Sequence, residues 1–238
     1  MLLSVVIPVY NEEKTLPLIL EKVLNVPLKK EIIVINDGST DKSRQKIQIM
    51  KEKYLKNKKF YSNTCNFKII NKQNKGKGSA LKAGFKYAIG DIVIIQDADL
   101  ELDPNDFLSI VSSFKDCNAD IVFGSRFLNN KNNKKNIFYY GNKLITFVSN
   151  LFTQIKMTDV ETCYKAFKID LIKSFKIKSN GFSVDPELAA YVAKEVRKGK
   201  VFKEVPIFYF PRNYKMGKKI KLIDGLKAIY AIIRFNLF

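Results

Sequence analysis

At 238 residues, 46% of them hydrophobic and 27% charged, the sequence suits one folded domain and excludes a disordered chain or a solenoid. Lys and Arg (42) outnumber Asp and Glu (23), and the formal charge of +19 favours anionic partners: phosphorylated small molecules, anionic lipid head groups or nucleic acid. The absence of histidine removes the commonest general base, and the three scattered cysteines, Cys65, Cys117 and Cys163, suggest neither a disulfide framework nor a zinc site, which fits a reducing cytosol.

Leu2 to Val9 is an apolar, β-rich run ending at Asn11-Glu12-Glu13, too short and unflanked for a signal peptide. Glu13 to Val26 follows at helical spacing through Leu16, Ile19, Leu20, Val23 and Leu24, with Pro17 in the first turn, where it is tolerated. Glu31 to Ile35 is a second buried strand closed by Asn36-Asp37-Gly38-Ser39, and Thr40-Asp41 can cap a helix running to about Tyr54. Lys56 to Asn66 reads as a polar excursion, Phe67 to Asn71 as a strand, Lys77 to Ile89 as a helix and Asp91 to Ile95 as a fully apolar strand ending at Gln96-Asp97-Ala98-Asp99.

Continuous apolar strands alternating with amphipathic helices predict a parallel sheet covered on both faces, with ligands at the carboxyl ends of its strands. Asn11, Asp37 and Asp97 each follow a strand and should meet at that edge. A helix from Asp103-Pro104 to about Cys117, a strand from Asp120 to Phe123, Gly124-Ser125-Arg126, a Lys/Asn loop and a helix from Ile137 to Ile155 come next. Val160 to Phe167 is ambiguous. Asp185 to Lys198 is a helix capped by Ser183, Lys200 to Val205 a strand ending at Pro206, and Leu222 to Phe238 a helix with one apolar face and Lys227 and Arg234 on the other. No run reaches the roughly 18 apolar residues that span a bilayer, so no membrane span is expected in these residues.

Asp97-Ala98-Asp99 puts two carboxylates one residue apart after a buried strand, where they can reach one Mg²⁺ or Mn²⁺ or simply form a solvated, helix-capping turn. Glu101 is close enough to join them or to be exposed. Asp37 can accept hydrogen bonds from a base or ribose, or serve its own turn. Asn74-Lys75-Gly76-Lys77-Gly78-Ser79-Ala80 opens a helix and offers backbone N–H groups and lysine charge to a phosphate, yet it lacks both the GxxxxGK[ST] and GxGxxG patterns and is equally a flexible turn.

Together with Val5-Val6-Ile7-Pro8-Val9-Tyr10-Asn11-Glu12, Asn36-Asp37-Gly38-Ser39-Thr40-Asp41 and Gly124-Ser125-Arg126, these segments occur in the order found in family 2 glycosyltransferases. The chain resembles their polyprenyl-phosphate (dolichyl-phosphate) mannose and glucose synthase branch. The resemblance continues through Thr158-Asp159-Val160-Glu161-Thr162-Cys163-Tyr164-Lys165, Gly181-Phe182 with Asp185-Pro186-Glu187, and Val205-Pro206-Ile207 with Arg212 and Gly217-Lys218-Lys219, so it covers nearly the whole chain. It implies an α/β, Rossmann-like GT-A fold with Pro8, Tyr10, Glu12, Asp37, Lys77 and Asp97 around a nucleotide-sugar and Asp97, Asp99 and Glu101 near the metal. Many relatives carry Gln where Glu101 stands. Arg126, Lys165, Arg212 and Lys218 would meet phosphates, with Asp97, Asp99 and Arg126 as the catalytic group.

A phosphate monoester is already anionic at neutral pH and can attack an anomeric carbon without a strong base, so a chain without histidine suits such an acceptor. The resemblance implies an inverting single displacement onto a polyprenyl phosphate. Residues 1–215 would form the catalytic domain and 216–238 an amphipathic helical tail that either lies at the cytoplasmic face of a membrane, alone or with a second copy or a membrane-anchoring subunit, or packs as a buried C-terminal helix. Transfer to a hydroxyl would instead need a carboxylate base, with Asp159 or Glu161 the candidates. A nucleic-acid binder is disfavoured by the acidic series Asp97, Asp99, Glu101 and Asp103, and intact motifs count against a non-catalytic sugar-nucleotide binder.

Overall fold

Apolar residues run without interruption through Leu3–Val9 (β1), Lys30–Asp37 (β2) and Ile92–Ile95 (β4), and the computed structural model, which describes residues 1–128, 137–212 and 222–237, buries these strands on both faces. Strands covered on both sides have no solvent face to alternate towards. β1 pairs in parallel with β2 and β4, and Thr64–Lys72 (β3) adds in parallel beyond β2. Ile121–Ser125 (β5), Lys165–Lys168 (β6) and Phe202–Pro206 (β7) complete a seven-stranded sheet in the order β3-β2-β1-β4-β6-β5-β7. β6 runs antiparallel to both β4 and β5, while β7 is parallel to β5. The mostly parallel, helix-covered sheet predicted from the apolar runs is therefore present.

The helices are Leu16–Asn25 (α1), Ser43–Lys56 (α2), Lys77–Tyr87 (α3), Phe107–Asp116 (α4), Ile137–Thr153 (α5), Ile169–Ser174 (α6), Val184–Arg197 (α7) and Leu222–Leu237 (α8). α3 packs on β1 and β2, and α4 on β5. Val5, Val6, Ile7, Ile32, Ile33, Ile94 and Ile95 are fully buried, each side chain contributing roughly 1.5–3 kcal/mol relative to exposure. At the end of the sheet away from the carboxyl edge, buried Lys30 donates to Val26 O at 2.7 Å and Leu28 O at 3.3 Å. Its burial pulls its pKa down to about 8.

Several local expectations change. β3 begins at Thr64, shortening the polar excursion, and the ambiguous Val160 to Phe167 segment resolves into a loop followed by β6. Asp41 stands one residue before the N-cap position of α2, which Lys42 occupies, and accepts from Ser43 N at 2.9 Å, whereas Ser183 occupies the N-cap position of α7 without a side-chain capping bond. α8 is apolar on two faces instead of one: Ala228, Ala231 and Ile232 are buried as the helix packs on α5 and α7, while Ile223, Leu226, Tyr230 and Leu237 are exposed. The Asn129 to Asn136 loop and Gly217-Lys218-Lys219 lie outside the described residues.

Candidate active site

The loops after β1, β2 and β4 converge on a cleft of about 490 Å³ at the carboxyl edge of the sheet. Pro8, Tyr10, Glu12, Asp37, Lys77, Asp97, Asp99, Glu101, Arg126 and Arg212 all line it. Ile137, Phe138 and Ile145 of α5 and Gly225 and Ala228 of α8 supply an apolar wall that the motifs did not foretell. Lys218 lies outside the described residues.

Two loops are tied together at the mouth. Asn11, in the left-handed region at φ 49°, accepts from Thr40 N at 2.8 Å, and Gly38 adopts φ +68° where an added Cβ would lie 2.6 Å from Asn74 N. Asp37 holds the next loop: it pairs with the Lys72 ammonium and accepts from Lys75 N at 3.2 Å and Gly76 N at 2.7 Å. At the start of α3, Ser79 N donates to Asn180 O at 3.0 Å, and a Cβ on Gly78 would run into Ser179 O. The N–H groups of Lys75, Gly76 and Ser79 thus serve the protein itself, which corrects the expectation that this run offers them to a phosphate. Asn74, Gly76 and Lys77 are the members of this run that line the cleft.

Asp97, Asp99, Asp185 and Glu12 each have a cation beside them. Lys77 Nζ lies 3.3 Å from both Asp97 and Asp185, and these charges outweigh burial to raise its pKa. The Arg212 guanidinium reaches Asp99 Oδ2 at 2.7 Å and Glu12 Oε2 at 3.3 Å. Burial, with Asp97 and Glu101 adding repulsion, still pushes Asp99 up to about 7. Behind Asp97, whose N–H donates to Cys163 Sγ at 3.1 Å, fully buried Lys165 donates to Thr162 O and to Asp185 Oδ1 at 2.6 Å. Lys165 was expected among the phosphate ligands; it has no exposed surface and positions Asp185 instead. In the sequence Asp185 figures only as part of the Asp185-Pro186-Glu187 segment, and nothing local marks it as the shared partner of two lysines.

Arg126 is locked by Asp159. Its Nε and Nη2 donate to the two carboxylate oxygens at 2.7 Å each, its backbone N donates at 3.0 Å, and its guanidinium stacks over Tyr209 at 5.2 Å. Burial alone would lower the Arg126 pKa; the Asp159 charge more than offsets this and raises it. Asp159 itself is wholly buried, which removes it as a candidate base. Glu161 lines the cleft, its Oε1 is buried without a hydrogen-bond partner, and burial followed by the charge of Asp185 pushes its pKa up to about 7.

Among the described residues no three acidic or thiol side chains are drawn into a ready-made metal cage. The donor chemistry nevertheless fits a hard divalent cation. Asp97 and Asp99 present carboxylate oxygens from one loop with Glu101 beside them, and the oxygens of a diphosphate suit the remaining coordination positions.

The family profile of glycosyl transferase family 2 matches residues 4–175. The chain is 30% identical to a dolichyl-phosphate beta-glucosyltransferase of Trichomonas vaginalis, over 99% of its own length and 73% of that protein's. It is 27% identical to a dolichol-phosphate mannosyltransferase of Pyrococcus furiosus, over 99% of its length and 65% of the relative's. Among solved structures, glucosyl-3-phosphoglycerate synthase from Mycobacterium tuberculosis in complex with UDP superimposes with a TM-score of 0.71 at 15% identity, covering 99% of this chain and 80% of that one. Profile, relatives and sheet order agree: the chain belongs to glycosyl transferase family 2 and has the GT-A fold.

Proposed function

We propose that the chain transfers a hexose from a nucleotide-sugar, of the UDP-glucose or GDP-mannose type, to a polyprenyl phosphate at a membrane surface, by an inverting displacement that needs Mg²⁺ or Mn²⁺. The observation that carries this is the make-up of the cleft: carboxylates and guanidinium groups share it with an apolar wall built from α5 and α8. Such a wall suits a lipid chain, and the cationic groups suit its phosphate. The relatives' names point the same way, since both act on dolichyl phosphate, and the mycobacterial synthase is seen with Mn²⁺ and UDP-glucose.

Pro8, Tyr10, Glu12, Asp37 and Lys77 would surround the nucleotide and its phosphates, Asp37 chiefly by holding the 72–76 loop in place. Asp97 and Asp99, with Glu101, would hold the cation, which when bound neutralises charge on the departing diphosphate. Arg126, fixed by Asp159, would orient the acceptor phosphate, whose own anionic oxygen needs no base.

Residues 1–215 are assigned as the catalytic body and 216–238 as an interfacial tail. α5 exposes Ile137, Tyr140, Leu144, Phe147 and Leu151 along one face, and α8 exposes Ile223, Leu226, Tyr230 and Leu237. Two apolar stripes on a chain of charge +19 suit an anionic membrane surface at the cytoplasmic side. No described helix is long and apolar enough to cross a membrane. A second copy or an anchoring subunit covering the same stripes would show as protein association without vesicle binding.

The test offers radiolabelled UDP-glucose or GDP-mannose with either a short polyprenyl phosphate or the matching polyprenol. Label entering the organic phase with the phosphate alone supports the proposal. Equal transfer to the alcohol overturns it in favour of a hydroxyl acceptor, for which Glu161, whose Oε1 has no hydrogen-bond partner, is the remaining candidate base.

A further inference from the structure

The segment after β7 is strapped across the acidic loop. Phe210 N donates to Glu101 O at 2.8 Å, Arg212 N donates to Glu101 Oε1 at 2.9 Å, and Leu102 forms an isolated antiparallel bridge with Tyr209. The strap delivers a guanidinium that is only 9% exposed into the space between Glu12, Asp99 and Glu101.

We propose that Arg212 is an internal stand-in for the divalent cation, held on the metal-binding carboxylates until metal and diphosphate arrive together and draw it onto the diphosphate. This rests on the assignment of Asp99 and Glu101 to the metal in the proposed function. Three observations carry it. Arg212 Nη2 takes Asp99 Oδ2 at 2.7 Å, an oxygen the metal would need. The fork is incompletely satisfied: Nε lies 3.8 Å from Glu101 Oε1, too far for a hydrogen bond, and is buried with no other acceptor. Asp97 is held in the same manner by Lys77 at 3.3 Å, so each carboxylate of the Asp-x-Asp pair already carries a protein cation.

The consequence is a coupling between ligands. A divalent ion arriving alone must evict a guanidinium and leave it buried beside the ion's own charge, a costly arrangement in a cleft with apolar walls. An ion arriving with a diphosphate brings anionic oxygens that a guanidinium can take bidentately, including through the unsatisfied Nε. Metal and diphosphate each then raise the other's affinity, as linkage requires.

Free Mn²⁺ is followed by its electron paramagnetic resonance signal during titration of the wild type, Arg212→Ala and Arg212→Gln, each without nucleotide and with UDP or GDP. Either variant should bind Mn²⁺ alone at least about fivefold more tightly than the wild type and lose most of the enhancement that the diphosphate gives. Arg212→Gln keeps the bulk and one hydrogen-bond donor, so the comparison stands if the alanine variant does not fold. Equal Mn²⁺ affinity in the wild type and a folded variant, in titrations where the diphosphate strengthens wild-type binding, overturns the stand-in and leaves the metal assignment intact. Absence of Mn²⁺ binding to any form, even with diphosphate, overturns both.

Discussion

Asp159→Asn separates an anchor from a base. Asp159 is wholly buried and receives three hydrogen bonds from Arg126, two of them charge-assisted at 2.7 Å. Removing its charge deprives a buried guanidinium of its bidentate carboxylate partner, which costs roughly 3–5 kcal/mol. In a chain of this size each kcal/mol shifts the thermal midpoint by about 2–4 °C, so the variant should melt roughly 6–20 °C lower. Replacing both partners with apolar groups, Arg126→Met with Asp159→Leu, should recover much of that loss, because no unpaired charge remains. Thermal unfolding followed by circular dichroism measures both effects, and calorimetry with the nucleotide-sugar checks that the cleft survives. An Asp159→Asn protein whose midpoint stays within about 2 °C of the wild type, yet which transfers no sugar, would refute the anchor and restore Asp159 as a chemical base.

Asp99→Asn should lower sugar transfer by at least ~10²-fold in saturating Mn²⁺ if the cation supplies several kcal/mol, and chelator should abolish wild-type transfer until Mg²⁺ or Mn²⁺ is restored. Phe147→Glu, on the exposed stripe of α5, should weaken binding to anionic vesicles in a flotation assay and leave the melting temperature unchanged; undiminished flotation would remove α5 from the membrane contact. Burial raises Asp106 from 3.8 to about 6, so the folded state holds its proton more tightly than the unfolded chain. Its contribution is present below about pH 4 and is lost as pH rises through about 6, and a melting series in which Asp106→Asn shows the same slope as the wild type over that window would disprove it.

The central strands were legible because burial on both faces forces unbroken apolar runs, and a polar residue directly after such a run can only stand at a strand end. That logic places Asp37 and Asp97 at one edge, where both line the cleft. It fails for β6, four residues with lysine at both ends, whose strand character comes from being wedged between β4 and β5. It also fails for Lys165, since a buried lysine and a surface lysine look alike until Asp185 is brought beside it. The N–H donors at the start of α3 read as available because their acceptors, Asp37 and Asn180, are supplied by distant stretches of chain. The two-sided apolar character of α8 is hidden because Lys227 and Arg234 read as marking a single polar face.

Because β6 slots in reverse between β4 and β5, the sheet cannot assemble in chain order. β3, β2, β1 and β4 pair among themselves through successive βα units, a set of comparatively local closures. β5 has no sheet partner among the strands before it; both its neighbours, β6 and β7, come later in the chain. Until they arrive, the apolar edges at Ile92–Ile95 and Ile121–Phe123 stay unpaired, the kind of surface on which half-folded chains stick to one another. Refolding should therefore pass through a species with Asp37 and Asp97 already in place and Arg126 still loose, and its yield should fall steeply with protein concentration.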